Sequence, residues 1–496
     1  MSFLPCTRLL IIGFGRSGQA VAYAALSPEL IGGLTQLTIV DGDDTAVLHA
    51  QIAAFEQIAS QRNPSLELRS YLGAATLPEV AGRFDLGVIS PGLAPHDSLT
   101  ISALQCCDEL ISELEFAWRL APAGQKWIAI TGSNGKTTTT MLVAHVLNEA
   151  GRSALSVGNI GEPVTNLMRA GDLPEVLVVE ASSFQLEFTT SFAPQAAALL
   201  NVAPDHLDWH GSLENYADAK RKIFAHQQSG DVALIWDADP FVEQSRAAAE
   251  AGPATLQTVS LSEYAPPSAY LQDGILWLAP APDIAPQALC RAEELPLKGE
   301  HNVCNALFAA ALVAHFGLTP EQIAAGLKTF TAPAHRLECI GEFAGVACFD
   351  DSKATNPDSV RAALTAFGPG EAHLLLGGRG KGTPYEDLAR DALGQVVKVY
   401  AFGEEGPALA ESFRALQDQI GTTTPISLYK DLEEAFVSAT EAACPGEAIL
   451  LSPACASFDE FYSYGQRGDV FRAYVSEWAQ SLDACAKDPA GEGERP

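Results

Sequence analysis

Lys136 and Thr137 stand where a buried strand, a glycine turn and a helix follow one another in the order that holds phosphate. From Trp127 the chain reads WIAITGSNGKTTTTMLVAHV. An apolar strand over 128–130 stops at Thr131, and Gly132, Ser133, Asn134 and Gly135 make a turn. Lys136 then opens a helix with apolar positions at Met141, Leu142, Val146 and Leu147. In such an arrangement backbone N–H groups and the helix N-terminus face an anion. The lysine reaches the outer phosphates and the hydroxyl can take Mg²⁺. Gly132, Ser133, Asn134, Gly135, Lys136, Thr137 and Thr138 are therefore candidate nucleotide-binding residues. The spacing departs from the generic phosphate loop, whose first glycine would fall at Ile130. Glycine turns also join strands to helices without a ligand. Here Gly-Lys-Thr coincides with both the strand end and the helix start, which argues for a nucleoside triphosphate.

Glu180 and His206 each follow a buried run, 176–179 and 196–202, expected to lie in the same sheet as the loop. Strand ends of a parallel sheet converge on one edge, so both side chains can meet a phosphate-bound Mg²⁺. Glu180 can equally be a turn carboxylate; Asp205 and Asp208 flank His206. Lys220, on an amphipathic helix over 213–226, reads from spacing alone as a solvated lysine. Farther on, three strand ends carry DDSKATNP from Asp350, GGRGK from Gly377 and SPACAS from Ser452. They offer Lys353, Thr355, Lys381 and Ser457, a cationic, hydroxyl-rich set suited to a small carboxylate. Cys455 has no base partner and reads as a packed thiol.

These residues need α/β scaffolds. A strand over 9–12, the turn GFGRSG, an alanine-rich helix over 19–26 and a strand over 37–40 ending on Asp41 form a Rossmann-like unit. The GxGxxG signal leaves open a nucleotide site or a plain tight turn. Gly15, Arg16, Ser17 and Asp41 are its candidate ligand edge, with Ser90 and Gly92 after a further strand over 86–90. Boundaries near 120–125 and 332–335 predict three domains: 1–120 Rossmann-like, 121–334 a central P-loop-type ATPase with a mainly parallel sheet, and 335–484 Rossmann-like again. A disordered tail is expected over 485–496. The proline-rich stretch 265–286 reads as surface loop around a short strand over 275–278. Helices are expected over 302–316 and 320–329, the second capped by Thr319 and Gln322. In the last domain strands are expected over 346–350, 373–376, 398–402 and 448–451, and helices over 357–367 and 470–482.

Length and composition agree with a multidomain globular protein: 496 residues, 47% hydrophobic and 18% charged. The formal net charge of −31 argues against nucleic-acid or anionic-membrane partners, which require a cationic face. Ten scattered cysteines without zinc spacing fit reduced thiols, and no run approaches a membrane span. A cytoplasmic protein without membrane insertion is expected.

Together GSNGKTTTT, EASSFQLE, NVAPDHLDWHG with YADAKRKIF, GEHNVCNALFAA, PAHRLE, DDSKATN, LLLGGRGKG and SPACASFDEF resemble the Mur ligases, from about Leu9 to Leu482. The resemblance implies an ATP-dependent amide-forming ligase of peptidoglycan synthesis with a UDP-sugar domain, a central ATPase and an amino-acid domain. SSFQLE and SPACAS point to the branch whose substrates are UDP-N-acetylmuramoyl-L-alanine and D-glutamate. By matching motif, Lys136 would hold the β- and γ-phosphates of ATP, and Thr137, Glu180 and His206 would serve Mg²⁺ at two sites. Lys220 would be a carbamylated lysine. Asn302 and Arg336 would contact ATP, and Asp351 its ribose. Asn159 would touch the muramoyl substrate, and Lys353, Thr355, Lys381 and Ser457 would line the D-glutamate site. Tyr464 stands where the family usually has an aromatic, often Phe. A monomer is expected. A folate polyglutamylating ligase is disfavoured by the N-terminal GxGxxG and by SSFQLE. A nucleotide-switched binding protein is disfavoured by Lys353, Lys381 and Ser457, and a dehydrogenase by the phosphate loop.

Overall fold

In a computed structural model, residues 3–77, 82–262, 268–279, 283–297, 299–331, 334–380 and 383–487 are described. The architecture is α/β, with sheets of five, nine and six strands, each mainly parallel, and a two-stranded parallel ribbon of Leu4–Pro5 with Ile31–Gly32. The chain divides into two compact units. One comprises Met1–Val202, Trp209–Leu295 and Val303–Phe330; the other comprises Ala203–Asp208, Pro296–Asn302 and Thr331–Pro496.

In the first unit the five-stranded sheet runs Glu67–Tyr71, Gln36–Val40, Arg8–Ile12, Leu86–Ile89, Leu110–Ser112, all parallel. Leu9 to Ile12 are fully buried because helices cover both faces, which is why the run is continuously apolar rather than alternating. The helix after the glycine turn begins at Arg16, three residues earlier than its alanine-rich pattern suggests, and ends at Ala25. Gly18 lies inside that helix, and a Cβ there would fall 1.9 Å from the Gly13 carbonyl oxygen. The third glycine thus sets how closely helix and strand approach.

The nine-stranded sheet places the phosphate-loop strand Lys126–Thr131 between Val176–Glu180 and Ala196–Leu199. Register pairs Glu180 with Ile130 and Leu199 with Thr131, so both flanking strands end beside the loop. Trp127, fully buried, anchors the strand's start through edge contacts to Trp118 and Phe192 at 5.5 and 5.9 Å. Burial of an aromatic of this size contributes about 3 kcal/mol or more. The proline-rich region differs from the loop expected. Its described residues extend the sheet through Thr255–Ser260, Ser268–Gln272, Ile275–Ala279 and Gln287–Arg291, the last two added antiparallel. Tyr270 and Trp277 stack across this addition, supplying apolar surface that the prolines obscure in the sequence. The helix holding Lys220 is also shorter than expected, Leu213–Arg221 followed by a 3₁₀ turn.

The six-stranded sheet of the second unit runs Glu338–Phe343, Val346–Asp350, Ala448–Ala454, Ala372–Gly377, Lys398–Phe402, Ile426–Leu428, with only the first edge antiparallel. Val346–Asp350, Ala448–Ala454 and Ala372–Gly377 are neighbours, so their three carboxyl ends open on one edge. The last helix is Tyr464–Lys487, starting six residues before the predicted 470 and reaching into the segment expected to be a tail. Residues 488–496 lie outside the described residues. Thr319 and Gln322 form the expected capping box.

Candidate active site

The phosphate loop turns on two glycines in conformations other residues rarely adopt. Gly132 has φ +155°, and Gly135, the residue before the helix Lys136–Glu149, has φ +82°. The loop is pinned from the neighbouring strand end: Asn201 accepts from the Ser133 N–H through its carbonyl and from the Asn134 N–H through its side chain, at 3.0 and 2.8 Å. First-turn amides from Gly135 to Thr138 have no intrahelical acceptor, leaving a cluster of donors at the positive end of the helix dipole. The Lys136 ammonium bridges the turn, donating to the carbonyls of Gly132 and Ser133 at 2.8 and 2.9 Å. Asn201 was given no site role from the sequence; its position at the end of a buried run beside the loop strand was the available signal.

Thr137, Glu180 and Asn159 come together. The Thr137 hydroxyl donates to one Glu180 carboxylate oxygen at 2.6 Å, and the Asn159 amide donates to the other at 2.8 Å. Among the described residues no three His, Cys, Asp or Glu side chains could by themselves hold a metal ion. A hydroxyl and one carboxylate beside a phosphate loop nevertheless suit Mg²⁺, which takes few protein ligands and completes its shell with phosphate oxygens and water. Thr137 and Glu180 therefore fit that ion.

Lys220 is not solvated, as its spacing suggested; it is 1% exposed. Its Nζ donates to the Gly132 carbonyl at 2.8 Å and lies 4.2 Å from the centre of the Tyr216 ring. The Tyr216 hydroxyl in turn contacts Ser133 Oγ at 3.1 Å, tying this helix to the loop. Thr139, one turn in, donates to Asn305 Oδ1 at 3.2 Å.

At the first glycine turn, the Asp41 carboxylate accepts the Phe14 and Asp43 N–H groups at 2.6 and 2.9 Å. Ser90 Oγ donates to the Gly13 carbonyl at 3.0 Å. Gly15 and Arg16 are exposed, Ser17 is half-buried, and a Cβ on Gly92 would meet only open space. Arg16 donates to the Gly161 carbonyl at 2.6 Å, joining this edge to the loop that carries Asn159.

In the second unit, His206 has φ +52°, and its imidazole lies 3.5 Å from Asp205. Asp205 also accepts from Asn356, at 3.4 Å. The Asp351 carboxylate is enclosed, accepting from Ser452 Oγ at 2.6 Å and the Leu337 N–H at 3.1 Å. Burial outweighs these donors and raises its pKa to about 7. His335 contacts Asp350 at 2.6 Å, and that bond raises the imidazole pKa. Asn302 and Arg336 are half-buried. His301, next to Asn302 in sequence, has an Nδ1 that is buried without a partner among the described residues. Burial, aided by Arg336, lowers the His301 pKa to about 4.

Lys353 Nζ lies 3.8 Å over the Tyr464 ring, Thr355 is half-buried and Ser457 is buried. Lys381 lies outside the described residues. Arg467, missed in the sequence, organises this edge. Fully buried, it donates to Ser352 Oγ and to the carbonyls of Ser352, Cys455 and Gly377, so one guanidinium ties the three strand ends together. Its burial lowers its pKa to about 10, which leaves it charged at neutral pH. The spacing Arg467, Phe471, Val475 on one helix face was the available signal. Cys455 is a packed thiol, buried against Tyr385 and pushed up to about 12.

A pinned phosphate loop with a hydroxyl–carboxylate pair at its mouth, in an α/β chain of several parallel sheets, defines a nucleotide-binding protein. Comparison with known proteins narrows that class. The Mur ligase middle domain matches residues 130–313, and the Mur ligase glutamate ligase domain matches 335–455. A UDP-N-acetylmuramoylalanine–D-glutamate ligase of Acidobacterium capsulatum is 38% identical, covering 94% of this chain and 96% of the relative. One of Thermobifida fusca is 34% identical, covering 94% and 98%. The solved structure of the MurF ligase of Thermotoga maritima in complex with ADP shares the fold at a TM-score of 0.53, with 18% identity, covering 81% of this chain and 96% of that one. The chain belongs to the Mur ligase family.

Proposed function

We propose that the chain joins D-glutamate to UDP-N-acetylmuramoyl-L-alanine at the expense of ATP, as a cytoplasmic monomer in peptidoglycan precursor synthesis. The observation that carries this reading is identity of 34–38% over 94% of the chain to ligases named for that reaction. Residues 1–120 would bind the UDP sugar, 121–334 ATP, and 335–484 the amino acid.

In this reading the γ-phosphoryl group of ATP passes to the L-alanyl carboxylate, giving ADP and an acyl phosphate. The D-glutamate amine attacks the acyl carbon, and phosphate leaves from the tetrahedral intermediate. Two anions meet in the first step, so charge must be neutralised and the groups held in line. Lys136 and the first-turn amides receive the β- and γ-phosphates. Thr137 and Glu180 would hold Mg²⁺, which supplies further positive charge when bound, with His206 serving a second ion and Lys220 contributing as its carbamate. Asn159, oriented by Glu180, faces the muramoyl substrate. Asn302 and Arg336 are assigned to ATP, and Asp351 to its ribose. Gly15, Arg16, Ser17, Asp41, Ser90 and Gly92 are assigned to the uridine nucleotide, and Lys353, Thr355, Ser457 and Tyr464, with Lys381, to D-glutamate.

ADP release with UDP-N-acetylmuramoyl-L-alanine and a panel of amino acids tests the assignment. D-Glutamate should support release far better than L-glutamate, L-alanine or diaminopimelate. Equal turnover with L-glutamate would sink it.

A further inference from the structure

In the second unit the helix Leu432–Ala442 and the last helix, Tyr464–Lys487, enclose an open groove of about 410 Å³ that none of the roles above uses. Its floor is aromatic: Phe436 packs against Tyr474 at 6.2 Å and against Trp478 at 6.3 Å. Its rim is acidic, with Glu433, Glu441 and Glu477, and among the described residues no Lys, Arg or His lines it. Lining positions recur at i, i+3, i+4 and i+7 on both helices. From Glu433 to Glu441 the groove therefore follows the helix axis for about 12 Å. Val437 on this wall is 49% exposed, which adds an aliphatic side chain to the aromatic floor. The rim carboxylates act on the floor as well, since Glu433 and Glu477 join burial in raising the Tyr474 pKa.

The chemistry of the walls selects the occupant. A second copy of the chain brings a net charge of −31 to an acidic rim. The chain's own end, DPAGEGERP after Lys487, carries three acids, one arginine and no large apolar side chain, so it would be repelled by the rim and leave the floor unfilled. An elongated aromatic trough between two helices accepts a third helix laying down apolar side chains at i, i+3, i+4 and i+7. Three carboxylates along its edges call for Lys and Arg on the flanks of that helix. We propose that this groove is a docking site for a basic amphipathic helix of a protein partner.

The probe is a stapled peptide of about four turns, with Leu at the floor-facing positions and Lys or Arg flanking them. Its binding to the full chain is followed by fluorescence anisotropy at physiological salt, where diffuse attraction to an acidic protein is screened. The helical peptide should bind at least about tenfold more tightly than a scrambled peptide of the same composition. Glu441→Lys, Glu477→Lys and Val437→Asp, all at exposed positions, should each weaken it by about tenfold. Glu411→Lys, exposed on a different helix of the same unit, should leave it unchanged. Equal binding of the scrambled peptide, indifference to the three groove substitutions, or full displacement by equimolar spermine would overturn the proposal. A chain ending at Lys487 that binds more than tenfold more tightly would make the tail the occupant and overturn it as well.

Discussion

At the scale of single residues, burial changes what Lys220 can be. A lysine ammonium enclosed beside the phosphate loop would compete with Mg²⁺ and repel it. A carbamate formed from the neutral amine and CO₂ instead offers the oxygen donors that Mg²⁺ prefers. The Nζ is already directed to the loop by the Gly132 carbonyl and by Tyr216. Lys220→Ala should therefore lose at least about a hundredfold in kcat while keeping its thermal midpoint within a few degrees. Millimolar acetate or formate should restore part of the rate by placing a carboxylate in the gap. Lys222→Ala should show neither effect, because that lysine is partly exposed and pairs with Glu187. Full activity of Lys220→Ala at ordinary Mg²⁺ would refute the carbamate. The burial itself was half legible. Leu213, Tyr216, Ala217 and Lys220 follow helical spacing on one face, but a lysine at the end of such a stripe ordinarily snorkels to water, and only the neighbouring loop shows that it does not. Arg467 was hidden for the same reason: its partners are carbonyls of strand ends far away in sequence.

At the scale of elements, legibility followed burial on both sides. The strands Lys126–Thr131, Val176–Glu180 and Ala448–Ala454 contain the continuously apolar runs 128–130, 176–179 and 448–451 that were read from the sequence. Ala154–Gly158 and Ile426–Leu428 are sheet edges with half-exposed positions, and carried no such signal. Helix starts were misplaced where glycine intervened, at Arg16 and at Tyr464, because glycine lowers helix propensity without forbidding a helix that tertiary packing supports. Gly468 in the last helix is the sharpest case. In an exposed helix interior, Gly→Ala stabilises by about 0.5–1 kcal/mol. Here a Cβ would lie 2.1 Å from His335 Nδ1 and 2.8 Å from an Asp350 carboxylate oxygen. His335 cannot yield easily, since its backbone is at φ +64° and its ring is held by Asp350. Gly468→Ala should therefore reverse sign and destabilise the second unit by roughly 1–3 kcal/mol. Urea unfolding followed by circular dichroism reads this directly; a midpoint raised by the substitution would show that the helix and His335 are not in contact.

At the scale of the whole molecule, 61 acidic residues face 30 basic ones, yet every substrate in the proposed reaction is an anion. The conflict is one of distance. In the proposed reaction Lys136, Arg16 and Lys353 would act within a few ångströms of a bound ligand, whereas the surplus of carboxylates acts at long range during approach. Salt separates the two, because the screening length falls from about 30 Å at 0.01 M to about 10 Å at 0.1 M. Long-range repulsion is then largely removed while short-range contacts to a bound ligand are little affected. Raising KCl from about 10 to about 100 mM should increase kcat/KM for UDP-N-acetylmuramoyl-L-alanine by roughly two- to fivefold, with kcat nearly constant. The direction is opposite to that of an enzyme whose basic surface steers an anionic substrate. Steady-state rates at saturating ATP, Mg²⁺ and D-glutamate measure it. A fall in kcat/KM over that range would mean that the clustered cations of the binding edges dominate the approach path as well as the bound state.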